Sequence, residues 1–224
     1  MFRKQTFDNN IYMKLFRWVY IVLMTSVCFT LTILPFFLAV LLLAIDSRNV
    51  LPFIGSLLFF GPAMPAVFSV IDSFKEELDV EPVHSFFKAY RRFWLQGLLL
   101  WLPGLAGTII AAVDILFFIK VPNGQWLMPF FFILAAMGIA LSINCWYFQM
   151  KNPTASIRAV FQISMYYIVK KWYISLLNVV LYLLIPLLML LKPQFGFIIT
   201  PSLLAGLIYL NAGKLHGSHL KQQS

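Results

Sequence analysis

The sequence predicts an all-α, polytopic membrane fold with about six spanning helices arranged as three hairpins. Three observations predict it. Of the 224 residues, 61% are hydrophobic and only 11% charged, whereas soluble domains run near 45–50% apolar and about 25% charged. The apolar residues gather in six long runs, and Lys and Arg fall almost wholly on one side of them. A soluble chain this apolar would expose patches that monomers avoid, and lipid contact removes the conflict. The whole of 1–224 reads as a single integral membrane domain, with no room for a sizeable soluble one.

The runs are Trp18–Ile45, Leu51–Ile71, Trp94–Ile119, Trp126–Gln149, Trp172–Leu191 and Phe195–Ala212. Most have the roughly 20 residues that cross about 30 Å of hydrocarbon. The last is the shortest, and the first and third are long enough to tilt or to continue past the membrane. The first run is far longer than the apolar region of a signal peptide, and no small-x-small cleavage site follows closely. It reads as a retained spanning helix.

Connections alternate in character. Asp46–Val50, Val121–Gln125 and Lys192–Gln194 are short, and each holds a turn former or breaker: Asn49, Pro122-Asn123-Gly124 or Pro193. The segments 72–93 and 150–171 are longer and carry most of the charge. The helices therefore group as hairpins over 7–71, 82–149 and 153–213. Fourteen Lys and Arg lie on the side of the long connections, against Arg48, Lys120 and Lys192 on the other. Positive charge stays in the cytoplasm, so both termini are expected there, with the hairpin tips outward.

Each hairpin is preceded by an amphipathic stretch that ends in basic and aromatic residues. The first runs through Phe7, Ile11 and Leu15 to Arg17-Trp18. The second runs through Phe86, Tyr90 and Phe93 to Trp94, with Lys88, Arg91 and Arg92 on the other face. The third runs through Ile157, Phe161, Ile163 and Tyr167 to Lys170-Lys171-Trp172. Spacings of three and four put the apolar residues on one helical stripe, and Pro82 and Pro153 suit a helix's first position. Two placements are open. The stretches lie in the cytoplasmic headgroup region, with Arg17, Lys88, Arg91, Arg92, Lys170 and Lys171 reaching lipid phosphate, or they extend the spanning helices into the cytoplasm. Either way the formal charge of +9 points to the bilayer and its anionic headgroups rather than to nucleic acid, because the basic residues sit beside apolar segments.

Conventional catalytic patterns are missing: there is no GxxxxGK[ST], HExxH, GxSxG or CxxC. Cys28 and Cys145 lie inside apolar runs and read as small buried hydrophobes. His84, His216 and His219 fall in polar stretches; His216-Gly217-Ser218-His219 lies on a tail, where solvated histidines outnumber metal ligands. No enzyme activity, cofactor or metal is expected. Asp114 is the one ionisable residue inside the runs, and helical rise from Trp94 places it at the outer interface.

Neutral polar residues are more numerous. Asn144, Asn178 and Gln96 stand out, with Gln149, Thr25, Ser26, Thr30 and Ser142. They serve either as glue between helices or as a polar patch that binds a substrate or a partner helix. Gly61, Pro62 and Pro65 form the densest helix-breaking cluster, as a packing kink or as a broken helix of the kind that lines binding sites in transporters.

Several short segments carry a resemblance: Phe16-Arg17-Trp18, Gly61-Pro62-Ala63, Ala66-Val67-Phe68, Ser85-Phe86-Phe87-Lys88 and Arg91-Arg92-Phe93-Trp94. Over about residues 7–215 the chain resembles YesL-like bacterial membrane proteins, a domain family of unknown function. The resemblance implies a Gram-positive source and a role accessory to, or regulatory of, carbohydrate uptake, with a sugar ABC importer permease or a sensor kinase as partner. It implies no catalytic residues. The expected function is thus a non-enzymatic accessory membrane protein. The competing expectation is a transporter or ABC permease subunit that moves a small solute itself, although neither 72–93 nor 150–171 resembles the acidic, glycine-containing coupling loop of importer permeases.

Overall fold

The computed structural model describes residues 11–44, 46–76, 80–121 and 123–220. Phe7 of the first amphipathic stretch, Arg3, Lys4, Lys221 and Pro122 lie outside the described residues, as do the side chains of His216 and His219. Among the described residues every regular element is helical.

The first apolar run is not one helix. It divides into α1 (Ile11–Thr32) and α2 (Leu34–Leu42), parting at Ile33. Pro35 is the cause: it has no N–H, and its ring collides with the carbonyl of the preceding turn. The second run divides likewise into α3 (Val50–Leu57) and α4 (Phe60–Glu76). The chain then continues through α5 (Pro82–Arg92), α6 (Trp94–Phe118), α7 (Met128–Lys151), α8 (Ile157–Lys170), α9 (Trp172–Leu191), α10 (Pro193–Gly196) and α11 (Thr200–Leu220). Between α6 and α7, Asn123 takes up left-handed backbone with φ 62°, which asparagine tolerates better than most residues. Gly124 follows because a Cβ there would lie 2.3 Å from the Phe118 carbonyl oxygen.

Five stretches of the described residues are long and apolar enough to cross a membrane: Leu15–Thr32, Val50–Lys75, Trp94–Phe118, Gly124–Lys151 and Trp172–Leu191. The second of these runs over both α3 and α4. The sixth expected span falls on α10 and α11, where polar residues from Asn211 onward dilute the apolar character of the last helix.

The second and third amphipathic stretches form helices of their own. α5 is separated from α6 at Phe93, and α8 from α9 at Lys171, where the backbone leaves helical geometry. The first does not: α1 passes through Arg17 and Trp18 without interruption.

Two helices form the centre. Every residue from Phe60 to Phe68 of α4, and every residue from Ile139 to Met150 of α7, is buried. α7 packs against α4, α6, α8, α9 and α11, while α4 also meets α1, α5 and α6. A helix that is enclosed on all sides needs apolar or small residues all round, and these two segments have them. The other halves of α6 and α7 are different. Leu116, Phe117, Phe130, Phe132 and Ile133 are exposed, so the far part of this helix pair stands clear of the remaining bundle.

Glycines set the closest crossings. At Gly97 of α6 a Cβ would lie 2.7 Å from the Gly61 carbonyl oxygen and 2.9 Å from the Pro62 Cα of α4. At Gly104 it would lie 2.5 Å from the Ser142 hydroxyl of α7. Small residues at such points let backbones approach in the absence of a hydrophobic driving force between helices.

Candidate functional site

Broken helices leave backbone groups that hydrocarbon cannot satisfy, so neighbouring helices must do it. At the α3–α4 break, the Trp101 indole N–H of α6 donates to the Leu57 carbonyl at 3.0 Å. Pro103 perturbs α6, and there the Ser142 hydroxyl of α7 accepts from the Gly104 N–H at 3.2 Å. Between α10 and α11, Thr30 of α1 donates to the Phe197 carbonyl at 3.1 Å, and the Ser26 hydroxyl accepts from the Ser202 N–H at 3.2 Å. Ser26, Thr30 and Ser142 are thus engaged in closing breaks, whereas the buried hydroxyls of Thr25 and Ser202 have no partner among the described residues. Gly61 and Pro62 lie in the first turn of α4, just past the α3–α4 break, and Pro65 sits inside that helix. Gly61 serves the close crossing with Gly97, and the Gly97 carbonyl in turn accepts from the Trp146 indole at 3.1 Å.

The two interior asparagines are brought near one another but not joined. Asn144 of α7 is fully buried and donates through Nδ2 to the Ser175 hydroxyl of α9 at 3.1 Å, leaving its Oδ1 unmatched. Asn178, one turn beyond Ser175, is also fully buried, and neither its nitrogen nor its oxygen has a partner. Ser175 also lines a groove of about 510 Å³ between α7 and α9, together with Ala140, Met137, Ile168, Trp172 and Leu176. Gln96 is half-buried in the first turn of α6 and joins neither amide.

At the basic end, α4, α7 and α11 are tied by charge. Lys151, the last residue of α7, pairs with Asp72 of α4, and the Tyr209 hydroxyl of α11 donates to the same carboxylate oxygen. Lys75 stands 4.4 Å from the centre of the Tyr209 ring, a cation–π contact. Sequence reasoning missed this cluster because Asp72 and Lys151 lie just beyond the ends of their apolar runs, where charge looks like ordinary loop character. Asp72, an acid set directly against the end of an apolar run, was the available signal.

α5 lies against α4 and α1 at the same end. Phe86, Ala89 and Phe93 are buried, whereas Val83, His84, Phe87, Lys88, Arg91 and Arg92 are exposed. An aromatic row fastens the helix: Phe86 stacks on Tyr90, Tyr90 meets Trp94 edge-on, and Trp94 meets Phe59. Burial pushes the Tyr90 phenol up to about 12. The remaining basic residues differ in setting. Lys170 is exposed at the end of α8 and reaches the Tyr166 hydroxyl at 2.7 Å, a hydrogen bond that raises its pKa above the ordinary value. Lys171 instead donates to the Lys214 carbonyl of α11 at 2.9 Å. Arg17 is half-buried on α1. Among the described residues no group of three or more His, Cys, Asp or Glu is placed to hold a metal ion.

Residues 49–115 match the family described as "Protein of unknown function, DUF624". No curated protein and no solved structure matches the chain. The matched segment runs from the start of α3 through α4 and α5 and most of α6. It therefore contains Gly61, Asp72, the basic face of α5, Gly97 and Trp101. This is the stretch in which the sequence resemblance is densest, and over residues 49–115 the chain is similar to the DUF624 family, that of YesL-like membrane proteins.

Proposed function

We propose that this chain is a non-enzymatic integral membrane protein that acts by association, as an accessory or regulatory component of carbohydrate uptake. In this reading six helices span the bilayer as three hairpins, α11 being the sixth. Both termini and the basic end face the cytoplasm, in keeping with the one-sided placement of Lys and Arg. α5 and α8 lie at the cytoplasmic headgroup level, where their basic residues meet anionic lipid and a partner can grip their outer faces. The family resemblance suggests the partner: a sugar importer permease or a sensor kinase.

The observation that carries the reading is the division of α5. Its buried side is fully used in fastening it to α4 and α1, yet Val83, Phe87, Lys88 and Arg91 remain exposed on the other. An aromatic and cationic face held on a rigid mount is a docking feature. The test is affinity purification in mild detergent from the native membrane, with the wild type and with Phe87→Ser/Arg91→Glu. A permease or kinase that copurifies with the wild type and is lost with the variant supports the reading. Repeated recovery of the protein alone sinks it.

One observation favours solute passage instead. The buried amide of Asn178, unmatched beside the Asn144–Ser175 pair, is the kind of polar group that a solute could complete. Solute flux in liposomes that disappears with Asn178→Leu is the result this second reading requires.

A further inference from the structure

Between α4 and α5 there is a cup of about 230 Å³, lined by Ser69, Ser73, Ser85, Lys88, Ala89 and Arg92. Its construction follows from helical register. Ser69 and Ser73 are four apart on α4, and Ser85, Lys88, Ala89 and Arg92 fall on one face of α5. A stripe of hydroxyls therefore faces a stripe of hydroxyl and cations, and the small Ala89 side chain leaves the floor open.

The groups that line the cup lack internal partners. Serine in a helix often turns its hydroxyl back onto its own backbone. Among the described residues, however, Ser69, Ser73 and Ser85 have no side-chain hydrogen bond, and Lys88 and Arg92 have no ion pair. Lys88 and Arg92 are themselves four apart, a like-charge spacing that disfavours an isolated helix. Asp72, between the two α4 serines in sequence, does not compensate them, since Lys151 and Tyr209 hold its carboxylate. Arg92 has only the neighbouring Phe93 ring, 5.6 Å away.

We infer that this cup is a binding site for a phosphate group. Two cations and three hydroxyl donors around a space with no acid among the described residues of its lining match an anion with several acceptor oxygens. Arg92 can offer a planar fork to two of them and Lys88 a point charge. Two sources share this chemistry: the headgroup of an anionic lipid and a soluble phosphate. A larger groove shares Lys88 and continues past Tyr20, Val83 and Phe87, with Glu81, His84 and Arg91 also in its wall, giving the remainder of a phosphate-bearing molecule a path of mixed character. Only the lipid source rests on the proposed headgroup-level position of α5; the cup itself does not.

The test uses the full chain purified in non-ionic detergent. Phosphatidylglycerol adducts are counted by native mass spectrometry, and thermal protection is measured with inorganic phosphate. Binding of either probe is expected to weaken roughly tenfold in Lys88→Gln and in Arg92→Gln, one charged contact being lost in each. Arg48→Gln, an exposed arginine that lines neither the cup nor the larger groove, keeps the affinity. Ser69→Ala/Ser73→Ala, which leaves every charge in place, weakens it too. Lipid adducts with this pattern assign the site to a headgroup, and protection by inorganic phosphate alone assigns it to a soluble ligand. The inference is overturned if neither probe binds, or if Arg48→Gln weakens binding as much as Arg92→Gln while the serine variant does not. Loss of lipid binding with phosphate protection intact would count against the position of α5 and not against the cup. Circular dichroism of each variant excludes misfolding as the cause.

Discussion

The Lys151 ammonium meets the Asp72 carboxylate where α7 and α4 end, and Tyr209 of α11 donates its hydroxyl to the same oxygen. Three helices far apart in sequence are thereby tied at one point. Removing one charge leaves the other partly buried and unpaired, which costs more than removing both. Asp72→Asn should destabilise the protein by about 1–3 kcal/mol, read as a lower thermal midpoint in detergent. Asp72→Asn/Lys151→Met should recover a good part of that loss. If the double variant falls by the sum of the two single losses, the pair is not coupled in this way.

The crossing of α4 and α6 leaves no room for a methyl group at Gly97. Gly97→Ala must push backbone from backbone, and a cost of roughly 1–3 kcal/mol is expected. Gly55→Ala supplies the control, because nothing lies within 4 Å of a Cβ there. It should be neutral or gain up to about 1 kcal/mol from helix propensity. Comparable losses in both variants would show that the crossing is not the determinant.

Asn178 separates structural glue from a functional amide. With both amide atoms unmatched, Asn178→Leu should leave stability unchanged or raise it by about 1–2 kcal/mol. Asn144→Leu forfeits the bond to Ser175 and should lower the thermal midpoint. A clear loss of stability in Asn178→Leu would mean that the amide has a partner in the membrane, such as a bound solute or a second chain.

Tyr90 gives a pH signature. Its folded pKa, about 12 through burial, lies above the ordinary tyrosine value of about 10. The stability it contributes is therefore complete below pH ~10 and is lost as pH rises from there through about 12. Thermal midpoints between these limits should decline less steeply in Tyr90→Phe than in the wild type. Trp94 fluorescence reports on the same event, since its ring lies 5.4 Å from that of Tyr90. Identical declines in the two proteins would remove Tyr90 from the account.

Membrane class was legible in the sequence because apolar runs and Lys/Arg placement are properties of local composition. α5 was legible as well, through its spacing and Pro82 at its start; α8 was legible through its spacing, but it starts at Ile157 behind the Ser156 cap and not at Pro153, which lies in the preceding turn. The breaks within the first two runs were harder: Pro35 and the Gly61–Pro65 cluster marked the neighbourhood, but not that α4 would restart at Phe60. Trp101 gave no signal of its role, since an indole in an apolar run looks like bulk until the Leu57 carbonyl is placed beside it. The enclosure of α7 was equally hidden. A segment apolar all round has no periodicity to say which neighbours surround it.

That enclosure is confined to one half of α7, and the other half leaves the bundle with α6 as an almost bare pair. In that half the two helices have chiefly each other, and contacts such as the Phe118–Phe131 ring stack do the work that the enclosed half of α7 shares among its several neighbours.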